Sequence, residues 1–206
     1  MQRIFPCELT PEEYVATEAH RQVRPELLCP LGCGCAGRLH GHGTYERGIA
    51  ATIGKVVLIL VARFHCVGCG RTISYLPDFA LSYRLVQART FEAFLDGERA
   101  RRDVQTWETV LQTYRRRTLV NAAAVVRVVG CGFGRAPPVA AEGLWPWLKE
   151  ACGSMSSATR RLVTDFRITL FNRYQCHQPA RVWVKSPAFG PVVRAGEWRG
   201  SAPHTT

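Results

Sequence analysis

Two cysteine pairs, each followed by a glycine, constrain this chain more than any other feature: Cys29-Pro-Leu-Gly-Cys33-Gly34 and Cys66-Val-Gly-Cys69-Gly70. Cysteines this close on a tight turn let two thiolates grip one edge of a tetrahedral metal. The glycine after them can take the positive φ that turns the backbone amide toward the sulfurs. Two such knuckles joined by a hairpin make a small ribbon around one zinc ion. The expected ligands are Cys29, Cys33, Cys66 and Cys69, the first pair being one residue wider and the looser match. Cys35 leaves alternatives open, pairing with Cys29 across a wide spacing or with Cys33 across one residue. His40, His42 and His65 offer nitrogen ligands, although histidines beside a ribbon are more often ordinary strand residues. Zinc closed by four thiolates keeps no position for water, so its role would be structural.

The remaining thiols fit the same picture. Nine cysteines are an odd number and are clustered, unlike a secreted disulfide framework, and a reducing cytoplasm suits them best. Cys7, Cys131, Cys152 and Cys176 are isolated and read as small core hydrophobes. The N-terminus shows no apolar signal segment, and the longest apolar stretch, Val56 to Ala62, is too short to cross a membrane.

The patterning predicts an α+β chain: a small antiparallel zinc ribbon followed by a mainly α-helical region. Residues 1–28 read as an N-terminal helical brace, in which Thr10, Pro11 and Glu13 form a capping box for a helix to about Arg21, anchored by Tyr14 and Val15. Residues 29–83 are the ribbon, with a polar strand from Arg38 to Arg47 and a β-branched one from Val56 to Phe64. Residues 84–135 are helical, with stripes at Leu85, Ala88, Phe91, Phe94 and Leu95, then at Val104, Trp107, Leu111 and Tyr114, then from a Thr118 cap through Leu119, Ala122, Val126 and Val129. The last two stripes, 104–116 and 118–129, form a candidate degenerate helix-turn-helix with Arg115 to Arg117 at its turn. Its second helix is nearly all apolar, with only Thr118, Asn121 and Arg127 able to reach base edges, and reads more readily as a buried core helix. Residues 136–177 continue the Gly132 to Pro138 linker into a short helix at Trp145 and Trp147. A longer helix follows, capped by Ser156 or Ser157 and carrying Leu162, Val163, Phe166, Leu170 and Tyr174. Residues 178–206 read as a flexible tail with one strand-like stretch at 181–185.

Charge points to a polyanion. The chain carries 27 basic and 16 acidic residues, a net +11, and its only lysines are Lys55, Lys149 and Lys185. Residues 1–28 sum to −2, so a +13 excess lies downstream. Arginine's planar fork suits bidentate phosphate contacts. The nucleic-acid-binding candidates are Arg38, Arg47, Arg63 and Arg71 on the ribbon, and Arg115, Arg116, Arg117, Arg160, Arg161 and Arg167 on helices. For Arg160, Arg161 and Arg167 a solvated face of a packed helix is an equal reading.

The residues His42, Gly43, Tyr45 and Arg47, then Arg63, Phe64, Cys66, Cys69, Gly70, Arg71, Thr72, Ile73 and Ser74, carry a resemblance. Together with the first knuckle they are similar to the N-terminal zinc ribbon of bacterial insertion-sequence transposases. Leu76 to Phe79 and Tyr83 resemble a subgroup in which the ribbon runs directly into helices. The likeness spans about residues 29–95 and implies zinc and DNA as cofactor and partner. Family members commonly continue into a helix-turn-helix and a carboxylate-metal nuclease. This chain offers four aspartates, Asp78, Asp96, Asp103 and Asp165, without the strand-borne series that two-metal chemistry needs. No Ser/His/Asp or Cys/His set can be assembled either.

The expectation is therefore a non-enzymatic, zinc-ribbon DNA-binding protein of mobile-element type, with RNA as the alternative polyanion and with no membrane or small-molecule partner. A second reading is a protein-interaction module docking a transposase or polymerase subunit, and a third is a truncated transposase remnant.

Overall fold

The computed structural model describes residues 2–27, 29–30, 33, 39–50 and 54–171. Arg38, Cys35, Cys176, Tyr174 and the expected tail at 178–206 lie outside the described residues.

Among the described residues a four-stranded sheet and six α-helices mix α and β structure. Strands β1 (Gln2–Phe5), β2 (Leu39–Ala50), β3 (Val56–Cys66) and β4 (Thr72–Pro77) lie in the order β1-β4-β3-β2. The β2–β3 hairpin is the long antiparallel pair expected from the sequence, running from Ala50 opposite Val56 to Leu39 opposite Cys66. A register shift between Gly41 and Thr44 interrupts it, with Gly43 at φ 79°.

The N-terminal segment differs from a helical brace. Its first residues form β1, which pairs in parallel with β4 from Gln2 opposite Ser74 to Phe5 opposite Pro77. The capping box holds: Thr10 Oγ1 accepts from the Glu13 amide and Glu13 Oε2 from the Thr10 amide. Helix α1 (Pro11–Ala16) nevertheless stops well short of Arg21, because Glu18 turns left-handed at φ 48° and a 3-10 turn follows over Ala19–Gln22. Tyr14 anchors α1 on the sheet, donating to the Leu60 carbonyl at 3.2 Å with its ring edge-on to Phe79. Val15 points away and is exposed.

The sheet buries both faces. Ile59, Val61 and Leu76 join Tyr14 and Phe79 on one side, while Ala62, Ile73 and Tyr75 join Val23, Cys29 and Cys66 on the other. This follows the two-residue period of strand side chains.

The helices form the larger core. Helices α2 (Ala88–Leu95), α3 (Arg102–Thr106), α4 (Glu108–Val129), α5 (Leu144–Cys152) and α6 (Met155–Thr164) enclose Phe91, Phe94, Leu111, Leu148, Met155 and Leu162. Phe91, Tyr114 and Phe171 meet pairwise with ring centroids 5.6–5.9 Å apart. Each fully buried ring of this kind contributes about 1.5–3 kcal/mol.

The expected helix-turn-helix is absent at 104–129. Residues 108–129 form one unbroken 22-residue helix, and Arg115 to Arg117 sit on exposed turns in its middle. Thr118 caps nothing; its hydroxyl donates to the Tyr114 carbonyl one turn back at 3.1 Å. Nothing at 115–118 breaks the ladder, since neither Gly nor Pro occurs there. Nor is 119–129 buried all round. Its inner face is Asn121, Ala122, Val125 and Val129, while Val120 is 83% exposed.

The glycine-rich stretch after α4 is packed rather than a free connector. The Phe133 ring lies 5.2 Å from both Trp147 and Phe166, and Gly132 approaches Phe166 so closely that a Cβ would collide with it. Helix α6 is capped by Ser154 instead of Ser156 or Ser157, and it ends at Thr164. Phe166 and Leu170 join the core from the irregular segment beyond, where Arg167 adopts φ 54°. Among the described residues no helix is long and apolar enough to cross a membrane.

Candidate metal centre and basic surfaces

Strand β3 delivers Cys66 to the end of the sheet, where the chain reverses. The Gly70 amide donates to the Cys66 carbonyl at 2.8 Å, and Gly70 takes φ 66°, the conformation expected of a glycine closing a knuckle. The Cys66 amide pairs with the Arg71 carbonyl at 3.0 Å. Cys66 is fully buried, Cys29 buried, Cys69 half-buried and Cys33 exposed.

The sulfurs of Cys29, Cys33, Cys66 and Cys69 all lie within 4.8 Å of one another. Cys29 Sγ is 3.9 Å from Cys69 Sγ, and Cys33 Sγ is 4.0 Å from Cys66 Sγ. Sulfurs about 2.3 Å from one tetrahedral centre stand about 3.8 Å apart, so the donor set fits a thiolate-bound metal ion. The Cys69 amide aimed at Cys66 Sγ holds that thiol below its ordinary pKa against the opposing effect of burial, with help from the Cys69 and Cys29 sulfurs and the Gly68 amide. Cys33 is disulfide-bonded in this structure. Its sulfur is a thiolate ligand only in the reduced chain. Among the described residues no other group of His, Cys, Asp or Glu gathers in this way; His42 and His65 lie ring to ring at 5.5 Å, outside the cluster.

The ten arginines expected to touch nucleic acid divide sharply in their surroundings. Arg38 lies outside the described residues. Arg47 Nη2 donates to the Leu81 and Arg84 carbonyls, binding β2 to the loop before α2. Burial lowers the Arg47 pKa, while Tyr45 works against that effect. Arg160 reaches Asp78 at 3.5 Å. Arg161 reaches Asp165 at 3.4 Å and stacks 4.4 Å over Phe133. Arg167 donates to the Pro30 carbonyl at 3.2 Å, tying the C-terminal segment to the first knuckle. These four side chains hold the fold together. Arg63 is half-buried on β3, and Arg71 is exposed beside the second knuckle.

Arg115, Arg116 and Arg117 are different. All three are exposed on α4, with Arg127 exposed further along, and none forms an ion pair among the described residues. The only acid on this helix is Glu108, at its start. Arg116, Val120, Ala123 and Arg127 share one exposed face, spanning about 16 Å at 1.5 Å per residue. Of the three residues considered able to reach base edges, Thr118 and Asn121 are buried, and only Arg127 faces solvent.

The aspartates are dispersed. Asp78 accepts from the Cys7 amide and faces Arg160, Asp96 accepts from Trp145 and Lys149, Asp103 from Thr90 and Arg101, and Asp165 faces Arg161.

Residues 29–116 match a family described as a domain of unknown function, DUF6431. The match takes in the cysteine cluster, β2 to β4, α2, α3 and the first part of α4 as far as Arg116. Neither the curated proteins nor the solved structures yield a match to the chain.

Proposed function

We propose that this chain is a non-catalytic DNA-binding protein of mobile-element type, in which one structural zinc ion steadies the sheet and α4 contacts the phosphate backbone. The observation that carries the reading is the run of exposed arginines on α4 that have no acidic partner among the described residues. Unpaired guanidinium groups on a rigid rod suit a polyanion, because no internal ion pair must be broken to bind it. Cys29, Cys33, Cys66 and Cys69 would hold the zinc, which supplies cross-linking between the two knuckles and no chemistry on a substrate. The kinship to transposases rests on the sequence resemblance over about residues 29–95.

In this reading α4 acts by electrostatics more than by base readout. The loss of the helix-turn-helix removes the element that would enter a groove with polar tips. Exposed arginines along a helix can follow phosphates without regard to sequence. A gel-shift titration on duplex DNA tests it: affinity should fall by orders of magnitude between about 50 and 200 mM salt if about six phosphates are contacted. Absent or salt-insensitive binding would defeat the proposal.

One observation favours a second reading. Val120 and Val128 are exposed on the same helix, and an apolar element flanked by arginines also suits a protein surface. A partner retained after nuclease treatment would support this interaction module, and a partner lost with the nucleic acid would oppose it.

A further inference from the structure

A cleft of about 320 Å³ opens between β2 and the loop that precedes α2, away from the cysteine cluster and built from different residues than the exposed face of α4. Its walls include Gln2, Tyr45, Arg47, Tyr83, Arg84 and Leu85. Its volume lies at the lower end of the range typical of small-ligand sites, about 300–1,000 Å³.

Three observations mark it as more than a surface groove. Gln2 is 3% exposed, yet its Oε1 has no hydrogen-bond partner among the described residues. A buried carbonyl oxygen left this way wants an N–H or O–H donor. Arg47 presents a guanidinium that forms no ion pair among the described residues; its Nη2 serves two backbone carbonyls and its side chain hydrogen-bonds Tyr45, which leaves part of its five N–H donors for a ligand. Tyr83 is held at φ 55°, a conformation uncommon for a large side chain, and remains 51% exposed at the edge of the cleft. The loop is fixed in this shape from behind. The Leu85 amide donates to Tyr114 Oη at 2.9 Å, and the Arg84 guanidinium lies 4.7 Å over the Phe171 ring while donating to the Tyr83 carbonyl.

We propose that this cleft binds a single nucleotide unit, either free or at the end of a strand. The phenol rings of Tyr45 and Tyr83 offer faces for the base, Arg47 offers charge and N–H donors for the phosphate, and Gln2 Oε1 accepts from a base or sugar donor. A planar ring, an anionic group and a hydrogen-bond donor on one small molecule match the three kinds of wall. The site stands independently of phosphate binding by α4, because the two surfaces use different arginines.

The test is calorimetric titration of the reduced, zinc-loaded full chain with nucleoside 5′-monophosphates and, separately, with a short single-stranded oligonucleotide. Wild type should give saturable binding. Tyr83→Gly removes one stacking face and suits the positive φ, so it should keep the fold and weaken binding about tenfold or more, the scale of one base–aromatic stack. Gln2→Leu should weaken it in the same direction. The combined Arg115→Gln, Arg116→Gln and Arg117→Gln variant should bind monophosphates as wild type does, even if it loses duplex DNA. Binding of monophosphates assigns a free nucleotide, and binding of the oligonucleotide alone assigns a strand end. Lack of saturation with both ligands, or unchanged affinity in both Tyr83→Gly and Gln2→Leu, overturns the proposal.

Discussion

Asn121 donates its side-chain amide to the Thr169 carbonyl at 3.0 Å, joining α4 to a segment 48 positions further along the chain. The same nitrogen reaches the Leu170 carbonyl at 3.2 Å, so one buried amide satisfies two backbone acceptors. This bond locks the rotation of α4. With Asn121 turned inward, Arg116, Val120, Ala123 and Arg127 must face outward.

Asn121→Ala leaves both carbonyls without that donor and opens space beside Ala122 and Val125. Stability should fall by about 2–3 kcal/mol, the penalty for orphaned buried polar groups, as read from urea denaturation. A loss below about 0.5 kcal/mol would show that the bond does not hold the helix.

Arg115, Arg116 and Arg117 are exposed and form no ion pairs among the described residues, so replacing all three with Gln should leave the melting temperature nearly unchanged. Duplex DNA affinity should drop, and the slope of log affinity against log salt should shrink by about one unit for each phosphate contact removed. An unchanged slope would move the DNA contacts off α4. By contrast, Arg47→Gln should destabilise the fold, because Arg47 supports the Leu81 and Arg84 carbonyls.

Zinc content separates the four clustered cysteines from the rest. The reduced chain should contain one zinc per molecule, and Cys66→Ser should lose it, with a melting midpoint lower by on the order of 10 °C, since about 2–4 °C follows each kcal/mol at this size. Cys152→Ser, outside the cluster, should keep the metal. Stoichiometric zinc in Cys66→Ser would refute the ligand set.

Asp103 ties α3 to α2 and should govern part of the acid limb of stability. Burial pushes its carboxyl up, but the Arg101 fork at 2.8 and 3.0 Å and the Thr90 hydroxyl at 2.8 Å outweigh that and hold it below the ordinary carboxylate value. A lowered folded-state pKa means that the unfolded chain binds its proton first as pH falls. The stabilisation is therefore complete above the unfolded value, about 3.9, and disappears as pH drops through the lower folded value. Asp103→Asn should cost about 0.5–1.5 kcal/mol at pH 7, because solvent screens the Arg101 pair, and should flatten the stability profile below about pH 4. Chemical denaturation across pH 2–7 checks it, and parallel profiles for variant and wild type would exclude this role.

Features encoded within one or two turns of chain were legible from residue order. The Thr10–Glu13 capping box, the hairpin of β2 and β3 and the meeting of Cys29, Cys33, Cys66 and Cys69 all rest on local spacing plus one antiparallel pairing. Strand β1 was not legible, because four residues carry too little period and its partner β4 lies about 70 positions away. The unbroken α4 was misread because a run of three arginines looks like a turn when polarity is the only guide, although arginine is a good helix former.

Net charge was plain from composition, but the task of each arginine was not. Arg47 meets the Leu81 carbonyl across 34 positions, Arg160 meets Asp78 across 82, and Arg167 meets Pro30 across 137. How far a guanidinium is committed to the fold depends on which carbonyl or carboxylate arrives beside it. That arrival is a product of long-range packing, and no spacing within the chain specifies it. The two cysteines of each knuckle, in contrast, lie within about one turn of each other in the chain, a spacing that lets two thiols share one metal, so each pair is legible in the order of residues.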